Sequence, residues 1–437
     1  MLSGFEQRST AREELMDKTK SYGISKKVVL EAYQKDKANK GVAGVDGQSL
    51  AAFEVNLKDN LYKIWNRMSS GSYFPPAVKG VEIPKKSGGK RLLGIPTVGD
   101  RVAQMVVKIY FEPKVEPYFH SDSYGYRPSK SALDAIAITR QRSWKYDWVL
   151  EFDIKGLFDN IDHELLMKAV RQNTDNAWNI LYIQRWLKAP FQMPDGTLQE
   201  RDKGTPQGGV ISPVLANLFL HYAFDKWMDR EHPDKPFARY ADDAVVNCKS
   251  KEDAEELRRS LEKRLAECKL ELHPTKTRIV YCKDNNRKGS YPDNTFDFLG
   301  YTFRPRGARN KFGMLFVGFI PAISKKAKVA IQQNIRGWRL HLMSDKTLED
   351  ISQAYDPKIR GWANYYGRFY KSDMYSIYYH LNQAIIRWAM RKYKKLRAHK
   401  LRACNWLARI ARQKPELFVH WQLGIFPGAM DDRTRMS

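Results

Sequence analysis

Cysteine is scarce in this sequence: four in 437 residues, Cys248, Cys268, Cys282 and Cys404, with no two close enough to form a CxxC pair. That spacing speaks against a zinc knuckle, a zinc-bearing nuclease and a disulfide framework, so no zinc is expected. No uninterrupted apolar run is long enough to cross a bilayer, and the opening stretch MLSGFEQRSTAREELMDK is too polar for a signal peptide. The expectation is therefore no membrane partner and a cytoplasmic location. Internal repeats and long low-complexity linkers are also missing. Acidic residues are the other shortage, 49 Asp and Glu against 75 Lys and Arg, for a formal net charge of +26. A surplus of that size points to a polyanionic partner, with nucleic acid the leading candidate.

What is abundant is apolar and aromatic. Hydrophobic residues make up 43% of the chain, with 11 Trp, 23 Tyr and 20 Phe, enough for a packed core in two or three domains. The charge is unevenly spread: from Ile320 onwards 23 Lys and Arg face 8 Asp and Glu. Trp338, Trp362, Tyr365, Tyr366, Trp388, Tyr393, Trp406 and Trp421 are interleaved with that positive charge. Aromatics in such number predict a folded basic module rather than a solvated tail.

Three textures follow one another. Residues 1–72 read as helices with polar breaks: SKKVVLEAYQKDKANKG carries Val28, Val29, Ala32 and Tyr33 at helical spacing, and a second helix is predicted through AAFEVNLKDNLYKIWNRM. Residues 73–310 mix short strands with helices. VKGVEIPKK and KRLLGIP read as a hairpin across Ser87-Gly88-Gly89, and WVLEFDI alternates Leu150, Phe152 and Ile154 with Glu151 and Asp153. DAEELRRSLEKRLAEC places Leu257, Leu261 and Leu265 on one helical face, and PTKTRIVYC and FDFLGYTF are strand candidates. Residues 311–437 are mainly helical, with Ser324 a predicted N-cap and Ile335, Trp338 and Leu342 on one face.

Within FARYADDAVV two adjacent aspartates, Asp242 and Asp243, sit between strand-like segments. Like charges side by side near a sheet are costly unless a cation neutralises them, although a polar turn is the plainer reading of any such pair. Three other segments weigh against the plain reading. LEFDIKGLFDNIDH releases Asp153 from a strand and places Phe158 five residues later; KGTPQGGVISPVLANLFL opens an apolar helix from a turn containing Gln207; VEIPKKSGGKRLLGIPT carries Lys85 and Arg91 on a hairpin. Asp162, just before His163 and Glu164, suits a helix N-cap better than a metal ligand, and Asp159 does not continue the strand face of Asp153.

In this order the segments resemble the fingers and palm of reverse transcriptases. SYGYRPSKSALDAI, GTPQGGVISPVLANLFL, RYADD and FLGYTF narrow the resemblance to group II intron-encoded reverse transcriptases, or maturases. PKIRGWANYYGRF resembles the core of that family's thumb, the maturase or X domain, and GVAGVDG, Gly41–Gly47, resembles the loop of its N-terminal extension. The resemblance covers roughly residues 25–425. It does not extend to the DNA-binding region and HNH endonuclease, with paired cysteines, into which many members continue.

The resemblance implies an α+β fold: a right-hand polymerase with fingers and an antiparallel palm sheet flanked by helices, then an all-helical thumb. It implies an RNA-directed DNA polymerase that copies an RNA template with dNTPs, holds the RNA/DNA hybrid, and also binds group II intron RNA for splicing and mobility. A free-standing reverse transcriptase with a domesticated, CRISPR-associated or repair role, or a splicing maturase without polymerase activity, stays open. Joining a 3′-hydroxyl to an α-phosphate calls for two Mg²⁺ ions, with Mn²⁺ able to substitute, and hard oxygen ligands. By resemblance Asp153 and Asp242 bridge them, Asp243 takes a weaker, primer-side part, and the Ile154 carbonyl is an extra ligand.

Lys85 and Arg91 are assigned to the incoming triphosphate, which Arg grips with paired donors; a plain exposed hairpin would also carry such residues. Phe158 would stand under the sugar and exclude a ribose 2′-hydroxyl, Gln207 would contact the nucleotide, and Lys276 would protonate the leaving pyrophosphate. Phe158 as core and the Gln207 segment as a mere helix entry are the bland alternatives. Trp362, Tyr365 and Tyr366 fit a packed thumb face better than base stacking.

Overall fold

The structure, a computed structural model, describes residues 21–84, 89–310 and 312–428. Among them are eleven strands: β1 (Val78–Pro84), β2 (Lys90–Ile95), β3 (Trp148–Asp153), β4 (Phe191–Gln192), β5 (Leu198–Gln199), β6 (Phe237–Tyr240), β7 (Asp243–Cys248), β8 (Arg278–Tyr281), β9 (Phe296–Phe298), β10 (Tyr301–Arg309) and β11 (Leu315–Ile323). They form three sheets, ordered β2-β1-β4-β5, β6-β7-β3-β8 and β11-β10-β9. The fold is α+β, with largely antiparallel strand pairs, flanking helices and a helical C-terminal region from Lys325 onwards. The chain divides into two units, one of residues 1–131, 152–244 and 255–277, the other of residues 132–151, 245–254 and 278–437.

In the first unit the first helix among the described residues, Lys26–Ala38, starts where the Ser25 hydroxyl accepts from the Lys27 amide, and buries Val29, Ala32 and Tyr33. The single helix expected over Ala51–Met68 is two, Leu50–Val55 and Leu57–Ser69, because Asn56 leaves helical geometry at φ −120° and ψ 43°. The Thr97 hydroxyl caps helix Val98–Val115, most of whose first three turns is buried. The sequence GVAGVDG lies against this cap: a Cβ on Gly44 would fall 2.6 Å from the Thr97 nitrogen, so only glycine fits. Arg101 fastens the same loop, its Nε 3.0 Å from Asp36 Oδ1 and its Nη1 donating to the carbonyls of Val42 and Pro96. β1 and β2 pair antiparallel from Lys79↔Ile95 to Pro84↔Lys90, which makes the expected hairpin; residues 85–88 of its turn, Lys85 among them, lie outside the described residues.

A buried ion pair organises the rest of this unit. Arg239 of β6 is 1% exposed and Asp225 is fully buried; Nε and Nη2 reach the two carboxylate oxygens at 2.8 and 2.7 Å. The remaining donors go to Asn217 Oδ1, Ser123 Oγ and the Ala241 carbonyl, and Asn217 in turn donates to the Gly125 carbonyl at 2.7 Å. Asp225 ends a π-helical turn, His221–Asp225, inserted between helices Ser212–Leu220 and Lys226–Glu231. Arg264 accommodates that turn by donating to the Tyr222 and Ala223 carbonyls.

In the second unit Glu151 is 9% exposed and paired with Arg278, so β3 is covered on both faces rather than alternating core with solvent. FDFLGYTF is likewise not one strand but the β9–β10 hairpin, turned by Leu299 at φ 51° and Gly300 at φ 81°. Helix Lys325–Gly337 begins at Ser324, whose hydroxyl accepts from Ala327, a cap contributing about 1 kcal/mol. It ends before the predicted face does: Arg339 turns left-handed at φ 50°, and Leu342 is exposed. Helices Leu348–Tyr366, Tyr375–Lys392 and Lys400–Gln413 close around Ile351, Ile385, Trp388, Leu407 and Trp421.

Replacing Asp225 with Asn would leave the Arg239 guanidinium buried without a counter-charge, and breaking such a pair from one side costs about 3–5 kcal/mol. Asp225→Asn is expected to lower unfolding free energy by about 3 kcal/mol in denaturant titration, while Glu82→Gln, which removes an exposed partner of Lys90, changes it little.

Candidate active site

The two-residue link between β6 and β7 is Ala241-Asp242, and its backbone is constrained from three sides. Ala241 adopts φ 58°, left-handed geometry that a non-glycine residue holds only where its surroundings require it. Arg239 Nη1 donates to the Ala241 carbonyl at 3.2 Å, and Gly125 approaches so closely that a Cβ there would lie 2.5 Å from the Ala241 nitrogen. The Asp242 carbonyl accepts from Ile154 N–H at 3.3 Å, so the turn is tied to the end of β3, where Asp153 sits. Asp153 is held in turn by the His273 amide on its carbonyl at 2.8 Å. Asp243, half-buried, opens β7.

The two carboxylates oppose each other electrostatically. Burial, and after it the negative charge of Asp153, pushes the Asp242 carboxyl above its ordinary value; Arg91 and Lys276 offset part of that. The Lys276 ammonium is paired directly with the Asp153 carboxylate. Lys276 comes from a turn held by its own amide on the His273 carbonyl, so the ammonium and Asp153 share one support. Arg91 is exposed on β2, opposite Ile83. Ile154 is 2% exposed and brings only backbone to this site.

Phe158 and Gln207 stand on the neighbouring loop. Gly156, left-handed at φ 58°, turns the chain out of β3 into the short helix Leu157–Asn160, which carries Phe158. The Phe158 carbonyl accepts from Thr205 N–H at 2.7 Å, and Gly204 is so close that a Cβ would meet the Phe158 and Asp159 carbonyl oxygens at 2.8 Å. Phe158 is half-buried and lines a cavity of about 200 Å³ with Leu92, Asp159, Phe191 and Thr205. Gln207 Nε2 donates to Asp159 Oδ1 at 3.3 Å, which gives Asp159 a partner away from Asp153. Asp162 is an N-cap, accepting from the Leu165 amide, and pairs with Lys269.

Among the described residues no three His, Cys, Asp or Glu side chains gather as a ready-made metal centre. A half-buried pair of like charges with hard oxygen donors still fits a cation of the Mg²⁺ type, which one or two carboxylates hold while substrate phosphates and water complete its shell.

Sequence reasoning missed three residues here. Tyr126 is left-handed at φ 57°, its ring centroid is 6.1 Å from that of Tyr240, and burial together with the Asp242 charge raises its phenol above the usual value. Its signal is its place in the block SYGYRPSKSALDAI. Arg239 and Gln104 act through partners far along the chain; the one trace either leaves is a polar residue inside an apolar stretch.

Comparisons with known proteins give the family. The family described as "Reverse transcriptase (RNA-dependent DNA polymerase)" matches residues 83–303, which include β2, Asp153, Gln207 and the Asp242 turn. The family described as "Group II intron, maturase-specific domain" matches residues 329–406. The group II intron-encoded protein LtrA of Lactococcus lactis subsp. cremoris is 27% identical over 441 residues, covering 81% of this chain and 71% of that protein. Protein YkfC of Escherichia coli (strain K12) is 31% identical over 320 residues, covering 64% of this chain and 80% of that protein. A solved structure of telomerase from Candida albicans with a fragment of telomeric RNA aligns with a TM-score of 0.43 at 12% identity, over 86% of this chain and 68% of that one. The chain belongs to the reverse transcriptases, RNA-directed DNA polymerases, in their group II intron-encoded maturase branch.

Asp242 costs the fold stability where it is ionised. Its carboxyl is raised in the folded state, so between the ordinary value of 3.8 and the raised one the fold binds a proton that the unfolded chain has lost, and stability falls as pH rises through that window. Asp242→Asn is therefore expected to melt higher than the wild type at pH 7 without added metal, with the difference closing below about pH 4. Thermal melts at the two pH values measure it.

Proposed function

We propose that this protein copies an RNA template into DNA with dNTPs, using Asp153 and Asp242 to hold divalent cations, Mg²⁺ in the first place. The observation that carries the reading is the opposed pair of carboxylates, one on a left-handed turn and one at a strand end, with a lysine ammonium already on Asp153. Cations bound there would neutralise the attacking and leaving oxygens during phosphoryl transfer. Asp243 is the weaker, primer-side member, and the Ile154 carbonyl is a further ligand.

Arg91, exposed beside the site, grips the triphosphate with its forked donors, and Lys85 is given the same task. The Phe158 ring limits room at the 2′ position, and Gln207 gives up Asp159 to meet the nucleotide. Lys276 holds a proton on its ammonium next to Asp153 and is suited to pass it to the departing pyrophosphate. The charge surplus after Ile320 supports a grip on the phosphates of an RNA/DNA hybrid and of intron RNA.

Primer extension on poly(rA)/oligo(dT) with Mg²⁺ tests the reading. The wild type is expected to incorporate dTTP and Asp242→Asn to lose incorporation by at least about a thousandfold while binding the hybrid as well as before. No incorporation by the wild type would leave a splicing maturase without polymerase activity as the better account. For the gate, Phe158→Ala is expected to raise ribonucleotide use relative to dNTP by about tenfold or more; equal discrimination in variant and wild type would remove Phe158 from that role.

A further inference from the structure

Helix Val98–Val115 is buried on most of its surface, yet its first turns carry Asp100, Arg101 and Gln104, at 1%, 6% and 2% exposure. Arg101 is accounted for by the N-terminal loop. Asp100 and Gln104 form a separate chain of contacts. Asp100 Oδ1 accepts from the Tyr73 hydroxyl at 2.8 Å and Trp186 Nε1 at 2.7 Å; its Oδ2 accepts from Gln104 Nε2 at 2.9 Å. Gln104 Oε1 is thereby turned towards two backbone amides, Val210 N–H at 2.8 Å and Ile211 N–H at 3.4 Å. The amide can stand only this way round, because backbone N–H groups donate and the Asp100 carboxylate accepts.

Those two amides join the turn Gln207-Gly208-Gly209 to helix Ser212–Leu220, a helix whose N-terminus has no side-chain cap of its own. Gly209 is wedged at the same spot: a Cβ would lie 2.5 Å from Ser212 Oγ and 3.3 Å from Gln104 Oε1. At its other end the turn is pinned to the β2 strand that carries Arg91. The Gln207 carbonyl accepts from Gly94 N–H at 2.9 Å, and Gly208, at φ 121°, presses so close that a Cβ would meet the Gly94 oxygen at 2.4 Å. Both ends of the turn are fixed by polar contacts, one from the hairpin and one from Gln104.

We infer that Gln104, oriented by Asp100, is a positioning residue for the nucleotide: it fixes the Gln207 turn from behind and so sets how tightly the enzyme holds an incoming dNTP. The inference rests on the polymerase reading above, because it takes the Gln207 turn as a nucleotide contact. Gln104 itself touches no substrate in this scheme. Its loss acts through the turn, by removing the acceptor that the Val210 and Ile211 amides share.

The test uses the full chain and two readouts. Gln104→Leu is expected to speed hydrogen exchange in the 207–212 segment, and to raise KM for dTTP on poly(rA)/oligo(dT) by about tenfold with kcat within about twofold and hybrid affinity unchanged. The pair exchange Asp100→Asn with Gln104→Glu keeps an acceptor for Tyr73 and Trp186, a donor for position 104 and an acceptor for the two amides. It is expected to restore both readouts, whereas Gln104→Glu alone sets two carboxylates face to face and fails to. Should Gln104→Leu not fold, the comparison between Gln104→Glu and the exchanged pair decides the matter alone. Unchanged exchange and KM in the single variants, with normal wild-type incorporation, would overturn the inference and leave the polymerase reading standing. A wild type that incorporates nothing would overturn both.

Discussion

The Arg239–Asp225 pair is the constraint around which the Ala241-Asp242 turn is built. A fully buried ion pair adds little net stability, because desolvating two charges cancels most of their attraction. What it supplies is direction. A guanidinium donates in one plane, and here its fork meets Asp225, Asn217, Ser123 and the Ala241 carbonyl, four groups on separate parts of the chain. Moving any of them leaves a buried donor empty. Ala241 therefore keeps a left-handed backbone it would not choose, and Asp242 is presented from a fixed point.

That rigidity has a purpose because the site is electrostatically uncomfortable. Burial and the facing Asp153 both disfavour an ionised Asp242, and a flexible turn would relieve the conflict by swinging the carboxylate into water. Held in place, the pair can relax only by taking up positive charge. Lys276 meets part of that demand, and a metal ion would meet the remainder. The Gln207-Gly208-Gly209 turn is held in a similar way: its two glycines have no side chains to brace it, so hydrogen bonds to Gly94 and Gln104 brace it instead.

Much of this was legible in the sequence where the determinants are local. The β1–β2 hairpin, the Asp162 and Ser324 caps and the leucine face of helix Lys251–Glu267 follow from turn chemistry, capping and periodicity over a few residues. The family resemblance adds Asp153 and Asp242, which lie in one neighbourhood although 89 residues separate them in the chain. The misreadings have tertiary causes. Glu151 looks solvent-facing by alternation, but β3 is covered on both faces and Arg278 supplies its charge partner. Leu299-Gly300 reads as strand interior until β10 folds back on β9. The contacts of Gln104 are invisible in the sequence because its acceptor oxygen serves the amides of Val210 and Ile211, 106 and 107 residues away.

The basic C-terminal helices show how the same reasoning limits a function as well as supports one. Trp338 stacks on Tyr355 with centroids 4.3 Å apart and on Trp362 at 5.7 Å, and Tyr301 is in ring contact with both Tyr365 and Tyr366. Trp388 and Trp421 are buried outright. Aromatic faces committed to one another are not open to stack on bases, so these rings serve the core and give no reading of sequence. The surface of these helices is rich in charge, with Lys326, Arg336, Arg339, Lys358, Arg368 and Arg387 all exposed. A surface of that kind meets phosphates irrespective of base and weakens as salt rises. Selectivity for a particular RNA must then come from the shape of the RNA and the spacing of its phosphates, which suits a structured intron and a uniform hybrid alike.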